Sequence, residues 1–296
     1  MKGNNEMKKI VILVFSLLAA FFLCSCSHSQ SKGYLVIVGS SRPKKIMKRF
    51  VELTERRGGG KIVVFPMASS VPAETGPYEI KQLKEAGARD VEYHVLTREQ
   101  ALDEENAGIL DGADGIWFSG GDQTRLTEAL GNTPIHRKLL EIYKGGGVIG
   151  GSSAGAAVMS EIMITGEEKR QVDESSYGFE VIEAANIVHT PGFGFIKSAI
   201  IDQHFVRRIR HNRLISLVAE NPLLLGIGID ESTAIIVTPN DTFEVDGAGN
   251  VIIYDLSQAA VHIDDDRAIR AHNGTMHILK AGDWFDLKAK KVTGPK

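Results

Sequence analysis

The ten residues from Val148 to Ala157, VIGGSSAGAA, restrict the fold of this chain more than any other stretch. An apolar run ends in Gly-Gly, two serines follow, and Ala-Gly-Ala-Ala opens a helix. Gly151, Ser153 and Gly155 satisfy G-x-S-x-G, the spacing of a sharp strand-to-helix turn that pushes one side chain outward. Glycine is needed at the flanks because a Cβ there would clash. The helix that starts next leaves free N–H groups above the serine, where an oxyanion would form.

A turn of this kind belongs to a sheet of buried strands. Tyr34–Gly39, Lys61–Phe65, Val91–Leu96 and Gly115–Phe118 are short apolar runs bounded by turn residues. Helical spacing separates them over Lys44–Arg57, Tyr78–Ala86, the polar stretch up to Gly112, and the stretch to Tyr143 with a break near Pro134. This alternation predicts an α/β fold, a doubly wound and mostly parallel sheet. Ligand sites in such sheets lie beyond the carboxyl ends of the strands. Gly120-Gly121 and Ser153 both fall at such ends.

After residue 160 the pattern changes. Glu167–Tyr177 reads as a polar loop, Phe205–Ala219 as a basic helix, and Leu223–Ile229 and Thr233–Val237 as two strands around Asp230-Glu231-Ser232. From Phe243 to Leu287 come short strands with Gly-Ala-Gly-Asn and Asn-Gly turns. The expected organisation is an α/β domain over 33–240 with a β-rich C-terminal extension over 241–296 that decorates the main sheet.

The first residues read as a leader. Lys2, Lys8 and Lys9 precede an uncharged apolar run of 14 residues, Ile10–Leu23. A bilayer span needs about 20, so the run suits a signal-peptide core. Leu23-Cys24-Ser25-Cys26 resembles a bacterial lipobox, which predicts export, cleavage after residue 25 and a lipid anchor on Cys26. Cysteine occurs nowhere else. A disulfide, a cysteine nucleophile and a cysteine metal site are thereby excluded from the mature chain, and covalent work falls to a serine or a carboxylate. The formal net charge of −3 and an apolar fraction of 43% describe a globular protein with no global signal for nucleic acid.

A serine nucleophile needs a base and an orienting acid. Ser153 is preferred to Ser152, which occupies the variable position of the pattern. Of nine histidines, His204 stands out in Ile200-Ile-Asp-Gln-His-Phe205, and His189 is its rival. Asp230 and Glu231, at the end of the apolar Gly226–Ile229 run, can each orient an imidazole. Either choice makes the chain order Ser–His–acid, whereas α/β-hydrolases run Ser–acid–His.

Four motifs taken together, Gly120-Gly121-Asp122-Gln123, Gly151-Ser-Ser-Ala-Gly155, Asp202-Gln-His-Phe205 and Gly228-Ile-Asp-Glu231, resemble the cyanophycinases of serine peptidase family S51, which also contains peptidase E. The resemblance runs from about Tyr34 to Val237. It implies a sheet like that of class I glutamine amidotransferases and a peptidase that needs no metal or cofactor. It implies Ser153 as nucleophile, His204 as general base, Glu231 as orienting acid, and the amides of Ala154 and Gly120 or Gly121 as oxyanion donors. The implied substrate is cyanophycin, a polyaspartate carrying β-linked arginine, cleaved to β-aspartyl-arginine; an α-aspartyl dipeptidase and a silent lipid-anchored binding protein are the alternatives. For such a substrate Asp202 and Gln123 are the expected guanidinium partners, Gln203 joins the binding set, and Arg208, Arg210 and Arg213 match the family's arginines, with Arg208 and Arg210 favoured over Arg207 for substrate carboxylates. A homodimer stays open as the assembly.

Overall fold

Every residue of β1 (Tyr34–Val38) after the first is buried, and its side chains divide between two cores. Leu35 and Ile37 point to one face of the sheet and Val36 and Val38 to the other, as a strand covered on both sides requires. The same holds for β2 (Lys61–Phe65), β4 (Ala113–Phe118) and β5 (Val148–Ser152). With β3 (Val91–Tyr93) they form a parallel array in the order β1-β5-β4-β2-β3. The computed structural model describes residues 32–58, 60–170 and 179–294. The leader and its lipobox lie outside them, as do residues 171–178 of the expected polar loop.

Helix α1 (Lys44–Glu55) and α2 (Pro72–Glu85) cover the face of Val36 and Val38 through Ile46, Phe50 and Leu83. Gly150 lets the Phe50–Trp117 ring pair, 5.0 Å apart and edge-on, lie across β5, since a Cβ there would meet Trp117 at 2.5 Å. Helix α2 starts six residues before the expected Tyr78, because Pro72 occupies its first turn, where no N–H is needed. The polar helix expected before Gly112 is a short α3 (Arg98–Leu102) and a 3₁₀ turn over Glu105–Leu110. On the opposite face, α4 (Gln123–Leu130) and α5 (Pro134–Lys144) bury Leu126, Leu130, Ile135 and Leu139. The elbow feeds α6 (Ala154–Ala157), a single turn.

The chain then builds a hairpin, β6 (Ile162–Glu168) with β7 (Ile187–Pro191), and a second sheet. β8 (Ala199–Gln203) and β9 (Leu225–Ile229) run parallel, joined through α7 (His211–Glu220). Ile201, Ile227 and Ile229 enter the same core as Leu35 and Ile37, while α7 covers the other face with Leu214, Leu217 and Val218. At Asp230-Glu231-Ser232 the chain crosses back to the first sheet as β10 (Thr233–Val237), antiparallel to β1.

The last segment serves both sheets. β11 (Thr242–Gly247), β16 (Trp284–Asp286) and β17 (Lys291–Thr293) extend the first sheet, and β12 (Val251–Asp255) and β15 (Thr275–Leu279) complete the second. β13 (Ala260–Ile263) and β14 (Ile269–His272) form a separate hairpin. Phe243, Val245, Phe285 and Leu287 share the core of Leu35, so residues 241–294 have no core of their own. The nine-stranded sheet is therefore mixed rather than mostly parallel. The pairings beyond β1 are all antiparallel, and short turns join two of them, β10 with β11 and β16 with β17, where a parallel pair would need a long crossover. Residues 32–296 make one unit.

Candidate active site

The elbow is built by crowding between backbone segments. A Cβ on Gly151 would lie 2.4 Å from the carbonyl oxygen of Gly155, and one on Gly155 would lie 2.3 Å from that of Phe118. Between them Ser153 takes φ 55° and ψ −110°, a conformation that costs a side-chain-bearing residue about 1–3 kcal/mol. Two sets of bonds hold it there. Its N–H donates to the Val38 carbonyl at 3.0 Å, and its own carbonyl accepts from Ala156 and Ala157 at 2.9 and 3.0 Å. The hydroxyl is left half-buried at the carboxyl end of β5, while Ser152 is buried in the strand.

His204 follows the end of β8, also with positive φ (50°), and its N–H donates to the Gly39 carbonyl at 3.3 Å. Phe205 fixes the exit direction by lying over Gly228, where any Cβ would meet its ring at 2.3 Å. Glu231 sits on the crossover between the two sheets, pinned by the Ser232 N–H to the Ser40 carbonyl at 2.8 Å. Three strand ends thus converge. His204 Nε2 lies 2.9 Å from Ser153 Oγ, and His204 Nδ1 lies 2.7 Å from Glu231 Oε1.

The charges define the proton positions. The hydrogen bond from His204 holds the Glu231 carboxyl below its ordinary value, so it is ionised and can only accept. The shared proton is therefore on Nδ1, and the Nε2 lone pair faces the Ser153 hydroxyl. Burial lowers the His204 pKa, with Arg208 and Arg210 acting in the same direction against Glu231. The imidazole is thus neutral and able to take a proton at neutral pH.

The alternatives separate cleanly. Asp230 Oδ1 accepts the Arg207 N–H at 2.9 Å and caps the turn after His204, leaving Glu231 as the carboxylate on the ring. His189 is exposed on β7, opposite Ile164 in the β6–β7 hairpin. The amides of Gly120, Gly121 and Ala154 have no backbone acceptor among the described residues. Gly120 adjoins the serine: an added Cβ would lie 3.5 Å from the Ser153 Cβ. With only four residues, α6 contributes individual amides rather than a substantial dipole.

Of the two expected guanidinium partners, Asp202 is already engaged, while Gln123 has only its amide nitrogen committed. Asp202 is gripped bidentately by Arg213, whose Nε donates at 2.7 Å and whose Nη2 also bonds, and both side chains are only 1% exposed. Arg213 is equally unavailable to a substrate carboxylate. Gln123 donates both amide protons, at 2.7 Å each, to the carbonyls of Ile164 and Thr165, where the β6–β7 register begins to shift. Arg210 Nη1 donates to the Gln203 carbonyl and to Gln203 Oε1 at 2.9 and 2.8 Å, and Gln203 Oε1 lies 3.5 Å from Ser153 Oγ. Burial lowers the Arg210 pKa to about 10, which leaves it charged at neutral pH.

Arg208 is exposed beside the histidine, its N–H donating to the His204 carbonyl at 2.9 Å. It sits on a turn and not on the expected helix. Residues 206–210 fold as turns through Ile209 at φ 53°, and α7 begins only at His211. Sequence spacing had no means of showing that Asp202 and Arg213 pair in the core. Among the described residues no three His, Cys, Asp or Glu side chains are grouped to hold a metal ion.

Comparison with known proteins gives the chain its family. Cyanophycinase from Synechococcus elongatus is 32% identical over 274 residues, covering 90% of this chain and 82% of that protein. The cyanophycinase of Trichormus variabilis is 34% identical, covering 88% of each. A crystal structure of a peptidase from an acI-B1 actinobacterium superposes with a TM-score of 0.63 at 24% identity, over 87% of this chain and 98% of that one, which establishes the shared fold. The model of peptidase family S51 matches residues 35–245. On this match and these identities, the chain belongs to peptidase family S51 and is a serine-type peptidase.

Proposed function

We propose that Ser153, His204 and Glu231 are the catalytic triad of an exopeptidase that hydrolyses β-aspartyl-linked substrates such as cyanophycin, releasing β-aspartyl-arginine through an acyl-enzyme. The observation that carries this reading is the chain of two short contacts, 2.9 Å from serine to imidazole and 2.7 Å from imidazole to carboxylate. Ser153 Oγ attacks the scissile carbonyl as its proton passes to His204 Nε2. Glu231 stabilises the imidazolium, and the amides of Ala154 and Gly120 or Gly121 receive the oxyanion. The leaving amine departs with the proton from Nε2. Water, deprotonated by the same nitrogen, then cleaves the acyl-enzyme and restores the serine. One oxyanion donor is worth about 10²–10³ in turnover.

The substrate class is supported by the cyanophycinases among the relatives and by a site that offers Gln203 beside the serine and the exposed Arg208 beside the histidine. Asp202, tied to Arg213, supports this site from below and does not touch substrate. The reading also includes export and lipid attachment at Cys26. The test is turnover of purified protein on cyanophycin and on Asp-X dipeptides. Release of β-aspartyl-arginine with Ser153→Ala inactive is the expected result; cleavage of the dipeptides alone would assign an α-aspartyl dipeptidase. Metabolic fatty-acid labelling, abolished by Cys26→Ser, tests the anchor separately.

A further inference from the structure

A second concavity, of about 660 Å³, opens at the opposite end of the same strands from Ser153. Leu35 near the start of β1 and its cross-strand partner Val237 form part of its floor with Phe193 and Phe195. Val38, which holds the Ser153 amide, is three residues further along β1, about 10 Å of strand. Four lysines, Lys32, Lys144, Lys197 and Lys288, line this groove against two carboxylates, Asp241 and Glu161. Lys32 and Lys288 share Asp241, Lys197 pairs loosely with Glu161 at 3.4 Å, and Lys144 is exposed with no acidic partner among the described residues. The groove therefore carries surplus positive charge over an apolar floor.

The chain also enters here. Lys32 is the first described residue, and Gly33 is fixed beneath it by its N–H to the Tyr143 carbonyl at 2.7 Å. Five residues separate it from Cys26, a reach of about 20 Å. We infer that this lysine-rimmed groove is a docking face for an anionic phospholipid bilayer, which holds the enzyme with Ser153 turned away from the membrane. The orientation rests on the proposed anchor at Cys26; the affinity for anionic lipid does not. One acyl modification alone binds membranes weakly, and a basic patch supplies the second signal.

The test is co-sedimentation of the chain from Ser27 onward, which keeps the whole compact unit and omits the cationic leader, with vesicles of phosphatidylcholine alone or mixed with phosphatidylglycerol. Each lysine near an anionic surface is worth about fivefold in partitioning. Binding confined to the anionic vesicles, weakened by salt and reduced on the order of 100-fold by Lys144→Ala, Lys197→Ala and Lys288→Ala together, is expected, with peptidase turnover unchanged as proof of an intact fold. No binding, equal binding to both vesicles, or binding indifferent to the three substitutions would overturn the inference. Fatty-acid labelling at Cys26 reports independently, so loss of the anchor and loss of the face are told apart.

Discussion

Asp202→Ala removes one half of a pair that is sealed from solvent. Arg213 keeps its guanidinium buried, 1% exposed, with its Nε and Nη2 donors unmatched and the Phe179 ring 5.1 Å away as its remaining neighbour of note. Breaking a buried pair in this way costs about 3–5 kcal/mol, because the surviving charge stays desolvated. Over a unit of about 265 residues, with an unfolding entropy near 2.1 cal/mol/K per residue, that corresponds to a melting point lowered by about 5–10 °C. Urea titration followed by the fluorescence of buried Trp117 measures the loss directly. Removing both partners with apolar residues of similar volume, Asp202→Leu with Arg213→Met, should recover most of it. If Asp202→Ala left stability unchanged and instead raised KM alone, the carboxylate would be a substrate contact and the buried pair would not be its role.

Glu231→Gln should lower kcat by about 10³–10⁴, since the orienting carboxylate and its charge are both lost, while Asp230→Asn, which touches only the Arg207 amide, should stay within tenfold of wild type. The pH dependence has a definite sign. His204 must be neutral to act, and its pKa lies below 6.5, so kcat/KM should rise with pH along a limb centred below 6.5. Arg208→Ala removes a charge that disfavours the imidazolium and should move that limb upward; a midpoint at or above 7 in the wild type would refute the assignment. Gln123→Leu leaves two carbonyls of β6 without their donor and should cost about 1–3 kcal/mol in denaturation with KM little altered.

The parts of this molecule that were legible in the sequence are those governed by local sterics and burial. The continuous apolar runs of β1, β2, β4 and β5 cannot face water, and Gly151 and Gly155 admit little but a tight turn around Ser153. His204 and Glu231 were legible for a related reason, since each ends an apolar strand. What was hidden depends on partners distant in the chain. Asp202 reads as an acid beside His204, and nothing local shows that Arg213, eleven residues on, consumes it. The missing first turns of the basic helix follow from Ile209 taking a left-handed conformation, which its side chain disfavours and which only the surrounding contacts impose. The pairing of β12 with β9 and of β15 with β12 follows from register across separations that periodicity does not encode.

Everything proposed about the chemistry turns on one hydroxyl, and a fluorophosphonate probe tests it most directly. Incubation with the probe, followed by peptide mapping, should place a single adduct on Ser153, absent in Ser153→Ala and formed far more slowly in His204→Ala. An adduct on Ser152 or elsewhere, or full peptidase turnover in Ser153→Ala, would contradict the account.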